Sequence, residues 1–168
     1  MAMESRDWIN HYGWDGIPVP LAYLLPREPL LSEIYRRHRF KAGILRLGPR
    51  SYYDWHIDTR RGVGVNVLLS TGGHHHSLFS PDYSEVHDDG DTTGNHKMDP
   101  RVYLHRFEEL EYEPHIYYLY NNQVHHTVYN FGKTRYLFSI EFEEDKDSLS
   151  YNGLLGEILK FTPGKASD

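Results

Sequence analysis

Apolar residues recur at two different spacings along this chain, and the change falls near residue 40. After Pro26 the run REPLLSEIYRRHRF brings Leu30, Leu31, Ile34 and Tyr35 back at helical spacing. Pro29 is tolerated at a helix start, and the cationic RRHR end suits the negative C-terminal pole. A helix is therefore predicted there. From residue 40 onward the chain reads as short strands broken by turn residues. The runs are 40–48, 51–58, 63–70, 101–107, 115–120, 124–130 and 134–142. Gly48-Pro49 and Gly72-Gly73 mark turns, and the polar segment 80–100 reads as a long loop. Residues 1–25, with Gly13, Gly16, Pro18 and Pro20, read as irregular. The tail SLSYNGLLGEILKF closes with a short helix.

The last strand shows what the strands build. Tyr136, Phe138, Ile140 and Phe142 share one apolar face, and Arg135, Leu137, Ser139 and Glu141 share the other. An apolar face and a face carrying a single arginine suggest a barrel, with helices outside and a polar pocket inside. About seven short strands with tight turns fit a mainly β sandwich or barrel. The expected organisation is one domain over 1–168: a helical N-terminal region over 1–39, a β core over 40–143 and an extension over 144–168.

Strand 51–58, SYYDWHID, adds the first chemistry. His56 and Asp58 lie two residues apart and therefore point to the same face. The later run VHHTVYN offers a further imidazole at His125 or His126. Two imidazoles and a carboxylate on one side of a metal leave open positions, the facial triad of non-haem iron oxygenases. Against this stand plainer readings. His56 and Asp58 also suit a surface hydrogen-bonded pair, and His126 suits a packed core. Arg135 suits an ion pair with Glu141 or Glu143. His74-His75-His76 reads as a solvated turn. Arg60 and Arg61 suit either an acidic substrate at the barrel mouth or plain solvation.

Composition narrows the partners. Lys plus Arg number 18 and Asp plus Glu 24, a net charge of −6, so no basic stripe for nucleic acid is expected. There are 12 histidines and no cysteine, which removes disulfides and thiolate metal sites. No apolar run has the length of a signal peptide or a membrane span, so no membrane association and a cytoplasmic setting are the expectation. A homodimer stays open.

Taken together, His56-Ile57-Asp58, the apolar strand VGVNVLLS, His126-Thr127-Val128-Tyr129-Asn130 and then Arg135 resemble the Fe(II)/2-oxoglutarate-dependent dioxygenase superfamily. The likeness is to its aspartyl/asparaginyl β-hydroxylase and proline-hydroxylase-like branch, over about residues 40–143. It implies a double-stranded β-helix, a cupin-like jelly roll with the N-terminal helix on one sheet. It implies Fe(II) held by His56, Asp58 and His126, and selects His126 over His125, which then reads as structural. Arg135 would pair with the distal carboxylate of the co-substrate 2-oxoglutarate, a match that a guanidinium fork makes bidentately. Asn66 and Ser139 would sit beside that co-substrate, with Arg60 or Arg61 as other aids. Where the branch carries a basic residue and a histidine on the strand after H-x-D, this chain has Gly64 and Asn66. Arg135 follows His126 by nine residues, against about ten in the family. With O₂, the implied reaction hydroxylates a C–H of an amino acid, peptide side chain or small metabolite and releases succinate and CO₂. A metal-binding cupin enzyme that ignores 2-oxoglutarate, and a noncatalytic ligand-binding barrel, are the alternatives.

Overall fold

In a computed structural model, residues 9–11, 14–70, 75–81, 96–98 and 107–161 are described. The predicted helix forms as α2 (Pro29–Arg37), with Pro29 in its first turn and Arg36 and Arg37 in its last. It stops at His38, whose backbone N–H closes on the Ile34 carbonyl. Leu31 and Ile34 are each 2% exposed and set its buried face. A short helix α1 (Leu21–Leu24) precedes it.

The strands form two antiparallel sheets. The first is ordered β1 (Ile9–His11), β2 (Trp14–Pro18), β3 (Phe40–Leu47), β11 (Arg135–Phe142), β5 (Val63–Leu68), β9 (Tyr117–Asn121). The second is ordered β7 (His96–Met98), β4 (Ser51–Asp58), β10 (His125–Asn130), β6 (His75–Ser80), β8 (Glu108–Leu110). From β3 to β6 and again from β9 to β11, consecutive strands alternate between the sheets, which is the jelly roll expected. α2 and α3 (Tyr151–Phe161) cover the outer face of the first sheet. Leu31, Ile34 and Leu154 meet Val63, Val65, Phe138, Ile140 and Phe142 there. Ile140 and Leu154 are fully buried, and each such side chain contributes roughly 2 kcal/mol. Between the sheets Trp14, Leu47, Leu68, Val128 and Leu137 form a second, smaller cluster. The two faces of β11 thus do what their alternation predicted.

Three differences from the sequence reading have physical causes. The segment read as irregular contributes β1 and β2, because β2 gains a partner in β3. Gly43 permits that approach: a Cβ there would sit 3.2 Å from the Ile17 carbonyl oxygen. Asp15 and Arg46, opposite one another, add a hydrogen-bonded ion pair. His75 and His76 open a strand rather than a turn, because β6 pairs with β10 along its whole length. Within the loop read over 80–100, β7 pairs with β4, and Asp58 lies opposite His96. The strand expected over 101–107 falls on residues outside the described set, save Phe107, which is in no strand.

His38 ties the helices to the sheet end. Its Nδ1 lies 2.9 Å from Glu144 and its Nε2 3.3 Å from Glu157 of α3. Burial opposes the charged ring, but the two carboxylates outweigh it and raise the pKa from 6.5. A raised folded pKa means stability that is complete below pH 6.5 and is lost as pH rises through the folded value. His38→Gln is therefore expected to lower Tm below that pH by about 3 °C, from about 1 kcal/mol, and to change it little at high pH. Thermal melts of both proteins across that range check the sign.

Candidate metal centre

His56 and Asp58 project from β4 to the interior, and β10 lays His126 directly opposite His56. The imidazole centroids are 4.2 Å apart, and one ligand atom from each of the three side chains lies within 4.8 Å of the others. All three are at most 4% exposed, which rejects the surface-pair reading. This is a His-Asp-His cluster of a kind that can hold a metal ion.

A register shift helps to shape the site. His126 pairs with His56, yet Val128 pairs with Tyr53, so β4 carries an extra residue there. Strict alternation would send residues 53 and 56 to opposite faces. With the bulge, both line the cavity, and the Tyr53 ring stands edge-on to His56 at 4.5 Å.

Hydrogen bonds orient these side chains. His126 Nδ1 is 2.8 Å from the Val124 carbonyl. A carbonyl only accepts, so Nδ1 carries the proton and Nε2 keeps its lone pair for a metal. Asp58 Oδ2 accepts from Arg61 Nε at 2.7 Å and from Asn122 Nδ2 at 2.5 Å. Its Oδ1 faces His56 Nε2 at 3.8 Å. Arg61 is therefore more than a solvated residue, because it holds the carboxylate while staying about one-third exposed. Gln123 Nε2 donates to the Asp58 and Arg61 carbonyls, both at 2.7 Å, and clamps the strand end. Neither motif in the sequence singles out Asn122 or Gln123; the polar triplet Asn121-Asn122-Gln123 just before the second motif is the available signal.

His56 and His126 open onto a cavity of about 310 Å³. Arg135, Asn66 and Ser139 line it too, and Ser139 pairs with Asn66 across β11 and β5. Arg135 is 0% exposed. Its Nη2 is 3.4 Å from Ser77 Oγ, while Nε and Nη1 have no hydrogen-bond partner. Among the described residues no carboxylate pairs with it, so neither Glu141 nor Glu143 is its partner. The guanidinium carbon sits 4.9 Å from the Tyr112 ring centre. Burial pulls the Arg135 pKa down, with Tyr112 and Tyr120 opposing. Burial likewise pushes the Tyr112 and Tyr120 hydroxyls up, so both stay neutral donors.

Asn130 of the second motif is structural. Its Nδ2 donates to the Leu47 and Gly48 carbonyls, at 3.0 and 2.6 Å, and pins β10 to the turn before β4. His125 is buried on the face away from the cavity, as expected of a structural residue.

No protein-family model matches the sequence, and no curated protein does. Solved structures do match. A Pseudomonas putida prolyl-4-hydroxylase aligns with a TM-score of 0.54 at 15% identity, over 83% of this chain and 79% of that one. A cupin domain from Bordetella pertussis aligns at 0.37 and 18% identity, over 64% and 84%. An oxalate oxidase in complex with glycolate aligns at 0.43 and 10% identity, over 80% of this chain, which spans about half (53%) of that one. Among the described residues no helix is long and apolar enough to cross a membrane. By fold, then, this is a cupin-like jelly roll similar to that of a prolyl hydroxylase, with a buried His-Asp-His cluster at its centre.

Proposed function

We propose that the protein is an Fe(II)- and 2-oxoglutarate-dependent oxygenase that hydroxylates an unactivated C–H. The observation that carries this reading is the buried Arg135, with two unpaired N–H directions, in the same cavity as the two histidines. A buried charge without a partner is costly by several kcal/mol, and a bound carboxylate offsets that cost. The donor set of two imidazoles and one carboxylate suits Fe(II). Bound iron together with 2-oxoglutarate supplies the activation of O₂ and the oxidising power, with succinate and CO₂ released.

The chain's own residues do the rest. Arg135 takes the distal carboxylate of the co-substrate, and Asn66, Ser139 and the Tyr112 hydroxyl supply polar contacts around it. His126 presents Nε2 because Val124 fixes its tautomer. Arg61 and Asn122 hold the Asp58 carboxylate in one orientation. Leu45, Val128 and Leu137 keep water from the inner cavity. The likeness to a prolyl-4-hydroxylase supports hydroxylation, by analogy of fold alone.

The test is anaerobic visible absorption of the Fe(II) protein before and after 2-oxoglutarate. The expected result is a new charge-transfer band that His126→Ala abolishes. Metal bound without a band would favour a cupin enzyme of other chemistry, and no metal bound would leave a noncatalytic barrel.

A further inference from the structure

The cavity is built in rows across the first sheet. At the level of Glu141, strand pairing aligns Lys41, Glu141 and Gly64. The next inward row is Gly43, Ser139 and Asn66, and the next Leu45, Leu137 and Leu68. Arg135 faces Leu47 at the far end. Six residues of strand separate Arg135 from Glu141, roughly 20 Å. Arg135 is therefore the closed end, and the row of Lys41 and Glu141, both exposed, is the mouth.

That mouth carries charges of both signs that do not neutralise each other. Lys41 and Glu141 are direct cross-strand neighbours, a position in which opposite charges ordinarily join. Among the described residues neither makes an ion pair. Gly64 beside them adds no side chain, and a Cβ there would be tight, 3.3 Å from Asn122 Oδ1. An outer pocket of about 200 Å³ continues from the same rim, lined by Lys41, Arg60, Arg61, Glu141 and Glu143. Arg60 and Glu143 also lack ion-pair partners among the described residues. In the same pocket Glu144 is committed to His38, and Asp145 to the backbone of Asp147 and Ser148.

We propose that the substrate is a free α-amino acid, held as a zwitterion at this mouth. Glu141 receives its ammonium group, and Lys41, with Arg60 behind it, receives its carboxylate. The side chain then points inward toward His56 and His126. A ligand of a single charge sign would meet repulsion from one of the two rim groups. A peptide interior offers no α-ammonium and α-carboxylate on one carbon, the closely spaced pair that these two rim groups would meet. The volumes suit a small molecule beside a co-substrate. What is done to the amino acid rests on the oxygenase reading, but its binding does not.

The test is calorimetric binding to the full chain with divalent metal and 2-oxoglutarate present. The probes are the free amino acids and the N-acetyl, C-amide form of each. The expected result is that at least one free amino acid binds, and that its blocked form binds about tenfold or more weakly. Glu141→Gln and Lys41→Gln should each weaken the free form about fivefold and leave blocked forms unchanged. Blocked forms binding as tightly as free ones would overturn the proposal. So would a protein that binds 2-oxoglutarate yet none of the free amino acids. Amino-acid binding without 2-oxoglutarate binding would sustain the zwitterion site while removing the oxygenase reading.

Discussion

Asp58→Ala is expected to lose divalent metal almost entirely while keeping the fold. The loss should exceed the roughly 10–100-fold that changes to supporting residues cause, because a ligand itself is removed. The fold survives because neither hydrophobic core cluster is built on Asp58. Some stability does go, since Arg61 and Asn122 both donate to its Oδ2. Arg61 is about one-third exposed and can turn to water, so the cost there is small. Asn122 is 4% exposed and would be left with an unmatched amide, at roughly 1–3 kcal/mol. Asp58→Asn separates these effects, for it keeps an oxygen acceptor while removing the charge. Metal titration and thermal melts of both variants check this. An Asp58→Ala variant that binds metal as tightly as wild type would mean that the assigned triad is wrong.

The sequence showed some parts of this site and hid others, for reasons of range. The shared face of His56 and Asp58, and the two faces of β11, follow from a two-residue period that is local to one strand. The bulge that brings Tyr53 beside His56 depends on how β4 pairs with β10, about seventy residues away, and no local pattern records it. The pairing of β2 with β3 was obscured by Gly16 and Pro18, residues that argue against a strand until a neighbour supplies the ladder. β6 was hidden by its histidines for the same reason. The clamp from Asn122 and Gln123 onto Asp58 joins residues 64 and 65 positions apart. The freedom of Arg135 was closer to legible. Glu141 shares its face but lies roughly 20 Å along the strand, too far to pair.

Arg135→Met should leave the ligand-free protein as stable as wild type or more so, and should remove its response to 2-oxoglutarate. The first half follows from burial. Arg135 is fully buried with Nε and Nη1 unpaired, so the native state carries a desolvation cost that a methionine of similar length avoids. Methionine also fills the space between Tyr112 and Trp14, whose rings lie 4.9 and 5.9 Å from the guanidinium carbon. The second half follows from the guanidinium being the cation at the closed end of the cavity, whose other cations are Lys41 at the mouth and Arg61, already held by Asp58. At a co-substrate concentration a hundred times Kd, wild type gains about 2.7 kcal/mol, or about 8 °C in Tm at this chain length. The variant should gain almost none of it while binding metal normally. A variant that loses stability without ligand would mean that Arg135 holds the barrel together rather than waiting for an anion. One that keeps the full ligand shift would place the carboxylate elsewhere, with Lys41 at the mouth as the next cation along the same cavity wall.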